Sequence, residues 1–424
     1  SNVTAARPDN ASAAGGRAGD SFGYHKPALP LDLAHDGATL ALATVGLVIA
    51  ASGGIGGGGI LVPLFILVLG FRPKHAIALS NFTILGGAIA NTMVNVRKRH
   101  PDLDRTLIDW DLILIMEPLT IFGAVLGSLM SKVLPNIVLT VSLVAILAFM
   151  GNRTLRKGLK MWADESRRAT LGGKASVEMI STRGAGEDAH PGHVGEEAGP
   201  ESAYLELQSD SECVTVAEAS VRCKVGALTA CFVGTCALTL LRGGGHFQSP
   251  LGFPCGSAGF WWLYLGALPW VLAFAASFRW LLIGEFKRKV QRGHVFAEGE
   301  VQWDSHNTLK YPVYCAVSGV LAGLFGVGGG IVKGPLMLEM GIVPSVAAAS
   351  AAAMILFTSA AASTSFVVFG LLHRGYGAMF FLLGFASTAA GQYGVGRNTL
   401  YLPHNFRLPE AAKSPPLRLI ERHQ

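Results

Sequence analysis

Hydrophobic residues in this chain are concentrated in long runs that carry few charges, and short polar stretches separate one run from the next. Such runs are typical of membrane-spanning helices, and they lack the alternation of polar and apolar positions that marks a membrane β-barrel. The sequence therefore predicts an all-α, polytopic helical membrane protein. The apolar segments are residues 38–52, 58–70, 75–96, 110–131, 135–150, 225–241, 260–283, 311–326, 330–341, 345–372 and 375–396.

Two pairs of these segments are interrupted by runs of glycine. The first run lies within residues 53–59 and the second within residues 326–330. A straight crossing needs about 20 residues, and the pieces that flank each run are shorter. Glycine also weakens a helix, because it leaves backbone entropy high and backbone groups exposed. Each pair is therefore predicted to be a broken or hairpin-like helix that turns at its glycines.

Basic residues cluster in three loops, within residues 97–105, 153–168 and 287–292. Loops rich in lysine and arginine face the cytoplasm, so counting crossings from these loops places the N-terminus outside. The same count makes the two glycine-bearing pairs enter the membrane from opposite sides. Two halves of opposite orientation form an inverted-topology repeat, a plan common among secondary transporters.

The two halves also correspond residue by residue. Chance alignment of apolar sequence explains matched alanines and leucines more readily than it explains four glycines and a proline in register. With a one-residue slip after the proline, the correspondence continues into the next segment. The matched pairs are Gly54 with Gly326, Gly56 with Gly328, Gly57 with Gly329, Gly58 with Gly330, Pro63 with Pro335, Gly70 with Gly341, and Ile84 with Ile355.

The repeat and the charge pattern divide the chain into five regions. The first is expected to be lumenal or extracellular, because it holds two glycosylation-type triplets and a removed signal segment would explain its start. The linker between the halves is predicted to be largely disordered, with a passive tether and a regulatory element as open alternatives. The regions are a polar N-terminal segment 1–37, a first transmembrane repeat 38–150, a cytoplasmic linker 151–224, a second transmembrane half 225–396 that includes the repeat at 311–396, and a polar tail 397–424.

Composition supports a membrane protein and argues against several other classes. Half of the residues are hydrophobic and 15% are charged, whereas a soluble domain carries about 25% charge. The net charge of +6 lies in loops, which suits membrane topology and not a nucleic-acid partner. The six cysteines show no metal-ligand spacing, and the segments hold too few acids and histidines for an intramembrane enzyme. We therefore predict no metal, no cofactor and no catalysis.

Several motifs occur together along the chain: the paired glycine runs, the stretch from Gly70 to Asn81, and the stretch from Lys333 to Gly341. With residues 254–257, 354–359 and 391–393 they resemble the sulfite exporter TauE/SafE family, in its eukaryotic, plant-like branch. The resemblance covers about residues 38–396 apart from the linker, and it implies a permease for small sulfur-containing anions such as sulfite or sulfonates. Family members carry a further apolar helix, whereas this chain turns polar at Arg397, so the last transmembrane helix is expected to be lacking.

The glycine breaks predict a binding site for an anion. A helix that starts just after a break presents unpaired N–H groups and the positive end of its dipole. Two half-helices from opposite sides would bring these donors together near the membrane midplane. The open alternatives are glycines that serve close helix packing and hydroxyls that bond to their own helix. The candidate substrate-binding residues are Gly56, Gly57, Gly58, Ser80, Asn81, Thr83, Gly328, Gly329, Gly330, Thr358 and Ser359.

Two charged residues stand inside the apolar segments near these breaks. Glu117 lies in mid-segment, just before Pro118, and an ionisable group at membrane depth is a functional candidate. It is predicted to carry the coupling proton, with a protonated, structural glutamic acid as the alternative. Lys333 lies beside the second break, where it either attracts the anion or extends its ammonium to the membrane interface.

These features predict a secondary transporter that moves its anion by proton-coupled alternating access. The alternatives are a passive anion channel, whose glycine runs form a filter of backbone groups, and a membrane scaffold without transport activity. The expected partners are a small anionic substrate, protons and the lipid bilayer of the plasma membrane or an endomembrane. The sequence leaves the oligomeric state open.

Overall fold

The computed structural model describes residues 35–53, 56–99, 106–182, 200–244, 247–254, 256–293, 301 and 303–400. Within these residues the chain folds into helices, as the sequence predicts, and each apolar segment lies wholly or mostly in one of them; several segments, such as 58–70 and 345–372, extend past the ends of their helices. The helices are α1 His35–Gly53, α2 Gly58–Leu67, α3 Pro73–Asn95, α4 Trp110–Val133, α5 Asn136–Thr182, α6 Pro200–Arg242, α7 Ala258–Gln291, α8 Asn307–Phe325, α9 Gly330–Glu339, α10 Pro344–Val368 and α11 Arg374–Leu400.

Seven stretches of the described helices are long and apolar enough to cross a membrane, which confirms an all-α, multi-pass membrane protein. The shorter helices α2 and α9, each of 10 residues, are the second arms of the two glycine-bearing pairs. The seven stretches are Pro73–Asn95, Trp110–Val133, Asn136–Lys160, Val221–Arg242, Ala258–Gln291, Asn307–Phe325 and Pro344–Val368.

The chain turns sharply at both glycine runs because successive glycines adopt left-handed backbone angles. The residues before α2 and α9, Gly57 and Gly329, both have φ of 73°. The preceding Gly56 and Gly328 have φ of 85° and 74°, and Gly326 at the end of α8 has φ of 70°. Residues with a Cβ rarely adopt these angles, so glycine permits the turn from α1 into α2 and from α8 into α9.

Helices α3 and α10, which correspond in the two halves, run antiparallel, as an inverted repeat requires. His75 at the start of α3 forms a 2.9 Å hydrogen bond between its Nδ1 and the carbonyl oxygen of Leu371, just beyond the end of α10. Near the opposite ends, the N–H of Asp109, in the loop after α3, donates to the hydroxyl of Ser350 in α10, at 3.0 Å. Helices α3 and α10 pack against each other along this antiparallel contact.

Each half also packs a helix against the hairpin of the other half. Helix α4 of the first half lies along α8, and α11 of the second half lies along α1 and α3. At the α4–α8 contact, Gly123 and Gly127 face Gly319 and Gly323, and a methyl group on any of the four would overlap the opposing backbone. Small residues permit this close approach of helices within a membrane. The glycine turns of both hairpins are largely buried in this arrangement.

Parts of the predicted regions lie outside the described residues. These are the N-terminal segment up to residue 34, the matched Gly54, and the tail beyond residue 400. Residues 183–199 of the predicted linker also lie outside, while the helical backbone of α5 and α6 takes up the linker on either side of them.

Candidate functional site

The two glycine breaks meet at the centre of the molecule. A methyl group on Gly58, the first residue of α2, would overlap the carbonyl oxygen of Gly326 and lie 2.6 Å from the Cα of Val327. A Cβ on Gly59 would lie 3.1 Å from the Cδ1 of Ile331, at the start of α9. The starts of α2 and α9 are therefore adjacent, and Gly58 is in backbone contact with the turn that precedes α9.

The starts of both short helices leave backbone donors without a partner inside the helix. In α2 the N–H groups of Ile60 and Leu61 donate to the carbonyl of Gly57, and in α9 those of Val332 and Lys333 donate to the carbonyl of Gly329. A helix has four N-terminal N–H groups to satisfy, so the first two of each helix remain as donors. The positive ends of two helix dipoles thus lie side by side, an arrangement that favours an anion.

Two isoleucine side chains lie against these breaks. A Cβ on Gly56 would be 3.3 Å from Ile355 and 3.5 Å from Ile84, and a Cβ on Gly328 would be 3.2 Å from Ile84 and 3.7 Å from Ile355. Both isoleucines are at most 2% exposed, and they correspond to each other in the repeat. The pair fills the space over the glycine turns with apolar atoms.

The predicted hydroxyl and amide residues differ in their relation to the breaks. The Ser80 hydroxyl donates to the carbonyl of Gly326 at 2.8 Å, so it reaches the second break from α3. The hydroxyls of Thr83 and Ser359 donate to carbonyls of their own helices, at 2.8 Å and 2.6 Å. The amide of Asn81 also donates within its own helix, and its buried oxygen has no partner among the described residues.

Lys333 and Glu117 form an ion pair in the interior. The ammonium nitrogen of Lys333 in α9 lies 2.8 Å from Oε2 of Glu117 in α4, and both side chains are completely buried. Thr358 in α10 joins them, because its Oγ1 lies 3.0 Å from the Lys333 nitrogen and 2.6 Å from Glu117 Oε1. The alternative in which Lys333 extends to the membrane interface is wrong, since its ammonium is enclosed and paired.

Both charges are predicted from the sequence as functional candidates, but their pairing is not. The signal was present, because Glu117 and Lys333 are opposite charges inside apolar segments, and charges at membrane depth pair with one another. The pair has no counterpart in the other half: Leu61 occupies the repeat position of Lys333, and Gly87 that of Thr358. Within the part of the chain that the structure describes, the second break therefore adjoins a charged cluster and the first does not.

The first break adjoins a small, mainly apolar cavity of about 20 Å³, room for about one water molecule. Gly56, Asn91 and Thr388 line it, together with apolar side chains from α1, α3 and α10. Asn91 Nδ2 and Gln392 Nε2 both donate to the carbonyl of Ala51, at 3.4 Å and 2.9 Å, near the broken end of α1. Amide side chains here take the place of the hydrogen bonds that α1 loses at the break.

A chain of polar contacts continues from this cavity to the loop after α3. Asn95 donates to the Asn91 side chain at 2.7 Å, and the ammonium of Lys98 donates to Gln392 Oε1 at 2.8 Å. Burial lowers the pKa of Lys98. The sequence pattern does not predict this role for Asn91, Asn95 or Gln392, although amides at membrane depth are themselves a signal of function.

No group of three or more histidine, cysteine, aspartate and glutamate side chains that could hold a metal ion occurs among the described residues. The described cysteines, Cys223, Cys231, Cys236 and Cys315, are free thiols. The polar groups near the two breaks are therefore backbone N–H groups, hydroxyls, amides and one buried ion pair.

Comparisons with known proteins agree with this architecture. The sequence model of the sulfite exporter TauE/SafE family matches residues 38–191 and 219–401. Sulfite exporter TauE/SafE family protein 2 of Arabidopsis thaliana is 31% identical over 352 residues, which cover 81% of this chain and 72% of the relative. Family protein 1 of the same plant is 29% identical over 354 residues, covering 81% and 73%. No solved structure matches the chain significantly. The chain belongs to the sulfite exporter TauE/SafE family, a family of membrane transporters.

Proposed function

We propose that this transporter moves small sulfur-containing anions, such as sulfite or sulfonates, by alternating access around the paired glycine breaks. The observation that carries the proposal is the meeting of the α2 and α9 starts, where Gly58 abuts the Gly326–Val327 turn. Half-helices whose N-termini converge are the means by which many transporters hold an anionic group at mid-membrane. The family membership and the names of the plant relatives support sulfite as the first substrate to test.

Recognition rests mainly on the backbone. Two N–H groups at the start of each short helix offer donors to an oxyanion without burying an unpaired cation. Such donors compensate only part of the charge of a small anion. The anion is therefore bound weakly enough to be released again. The Ile84–Ile355 pair excludes water from the turns in this conformation. The described structure thus corresponds to a closed state of the cycle.

The polar chain from Lys98 to Gly56 is the proposed cytoplasmic route to the site. Lys98 is the cation at its outer end, and Gln392, Asn95 and Asn91 follow toward the cavity. A partly buried ammonium gains from a nearby anion, because the anion offsets part of its desolvation. Widening this cavity by a shift of α11 against α1 and α3 would open the site to one side.

The Glu117–Lys333 pair is the proposed coupling device. With both groups ionised the pair has no net charge, and Glu117 already compensates the positive charge of Lys333, so Lys333 does not bind a further anion. When Glu117 binds a proton, the positive charge of Lys333 is no longer compensated, and the adjacent second break attracts an anion more strongly. Anion binding at this break would then require proton uptake, which couples the two movements.

A flux assay on the reconstituted full chain tests this function. Proteoliposomes are challenged with sulfite, sulfate, a sulfonate and a carboxylate of similar size, with and without a pH gradient. We expect saturable sulfite or sulfonate flux that the gradient drives. Flux without saturation, accompanied by ohmic current, would identify a passive channel instead, and absence of flux for every anion would favour a scaffold.

We expect Ile84→Val and Ile355→Val to transport severalfold faster than the unmodified protein. Each change removes the Cδ1 methyl near the glycine turns and thins the apolar barrier, at a cost in stability of about 0.5–1.5 kcal/mol. Ile121→Val is the matched control, because Ile121 is equally buried in α4 and packs away from the breaks. Initial rates of sulfite uptake give the comparison, and rates equal to those of Ile121→Val would remove the isoleucine pair from the barrier.

A further inference from the structure

A large crevice separates α5 from the α8–α9 hairpin. Its volume is about 630 Å³, and it is open to the surroundings. Its inner wall is apolar and comes from Val317, Leu321, Ile331, Val332 and Leu336. Val317 is 54% exposed, so this wall continues onto the lipid-facing surface of α8.

The mouth of the crevice is basic and aromatic. Arg153 of α5 and Lys310, Tyr311 and Tyr314 of α8 line it, and Glu339 at the end of α9 pairs with Arg153 at 2.7 Å. The ammonium of Lys310 lies 5.8 Å from the centre of the Tyr311 ring. Two cations against one carboxylate leave the mouth with net positive charge. Tyrosine and basic side chains at this depth are typical of the membrane interface.

The inner end of the crevice narrows into a second, smaller space of about 20 Å³. The two spaces share Met150, Leu321, Ile331 and Val332, and the smaller one reaches Gly329. Apolar atoms make up the accessible lining of this inner space. An inorganic anion would lose its hydration here without compensation, whereas a hydrocarbon chain would lose none. The shape and polarity of the crevice therefore match an amphiphile.

We propose that this crevice binds one anionic phospholipid, with its headgroup at Arg153 and Lys310 and an acyl chain along the apolar wall. The basic loops place this mouth on the cytoplasmic side, where anionic lipids give the leaflet its negative surface potential. Basic pockets between transmembrane helices on that side are suited to acidic headgroups. The bound lipid would fill the space between the α8–α9 hairpin and α5 and stabilise their relative position. Helix α5 otherwise packs sparsely against the rest of the protein. The inner end of the crevice reaches Gly329 at the second break, but binding of the lipid does not depend on the proposed anion site.

Lipid-dependent thermal stability and native mass spectrometry of the purified full chain test the proposal. The probes are dioleoylphosphatidylserine, dioleoylphosphatidylcholine with the same chains, and soluble glycerol phosphate. We expect one tightly retained phosphatidylserine that raises the melting temperature, and no comparable effect of the other two. The double variant Arg153→Ala/Lys310→Ala should bind phosphatidylserine about thirtyfold more weakly, or about fivefold for each cation removed.

Two further variants separate this site from general surface charge. Lys287→Ala/Arg288→Ala removes two exposed cations from the end of α7 and should retain the lipid. Val317→Trp keeps the charges and fills the crevice from its exposed edge, so it should lose the lipid. The proposal is overturned by equal loss in the α7 variant, by unchanged binding to Val317→Trp, by equal binding of phosphatidylcholine, or by competition from glycerol phosphate.

Discussion

Replacing Glu117 by glutamine should destabilise the protein and abolish anion transport. The change leaves the ammonium of Lys333 completely buried, with a hydroxyl and an amide in place of a carboxylate. Breaking a buried ion pair by removing one partner costs about 3–5 kcal/mol, because the remaining charge is not compensated. Thermal unfolding in detergent and sulfite uptake in proteoliposomes measure the two effects.

The exposed ion pair between Arg153 and Glu339 provides the matched control. Both side chains are about half exposed, so Glu339→Gln should change stability by no more than about 1 kcal/mol. The substitution is chemically the same as Glu117→Gln, and only the surroundings differ. Equal effects of the two variants would contradict a special role for the buried pair.

The double variant Glu117→Gln/Lys333→Met separates coupling from folding. It removes both charges and keeps the side-chain volumes close to the originals, so we expect thermal stability to recover. Transport should not recover its dependence on the pH gradient, because the group that binds the proton is gone. A stable double variant whose sulfite flux still follows the gradient would show that the pair is structural and that coupling lies elsewhere.

Much of the fold could be predicted because its elements follow from local pattern. Each of the apolar segments lies wholly or mostly in a helix, and the turn at Gly57 was predictable because glycine readily adopts left-handed angles. The inverted orientation followed from charged loops, and the hydrogen bond between His75 and Leu371 shows the antiparallel α3 and α10 that it implies.

The side-chain partners could not be predicted in the same way, since they depend on which helices pack together. Helix α4 crosses to the hairpin of the other half, and this exchange places Glu117 beside Lys333, more than two hundred residues away. The candidate hydroxyls Thr83 and Ser359 bond within their own helices, the alternative that the sequence left open. Ser80 differs because its position on α3 brings its hydroxyl to the carbonyl of Gly326 at the second break.

Close packing and anion binding are compatible explanations for the glycines. Gly123 and Gly319 lie at the α4–α8 contact and serve packing alone. Gly57 and Gly329 adopt left-handed angles just before α2 and α9, and each turn leaves the first N–H groups of its short helix without a partner inside the helix. Helix packing does not require this arrangement. The breaks and the packing contacts can therefore be tested separately by substitutions of the same size.

Gly58→Ala should abolish transport and lower stability by about 1–3 kcal/mol, the usual cost of overpacking. Gly58 is the first residue of α2 and has no left-handed angle, so alanine fits its own backbone. The added methyl group would overlap the Gly326 carbonyl oxygen and lie 2.8 Å from Ile84 Cδ1. The carbonyl belongs to the opposing turn and cannot rotate away, so the two breaks must separate.

Two neighbouring comparisons make this prediction specific to the contact between the breaks. Gly59→Ala places its methyl group 3.1 Å from the flexible end of Ile331, which can move, so a mild loss of rate is expected. Gly266→Ala in α7 meets nothing within 4 Å and should transport normally. Initial rates of sulfite uptake, normalised to protein in the vesicle membrane, rank the three variants. If Gly58→Ala transports as fast as Gly266→Ala, the meeting point of α2 and α9 is not the anion site. If all three lose transport equally, the glycines act through general helix packing.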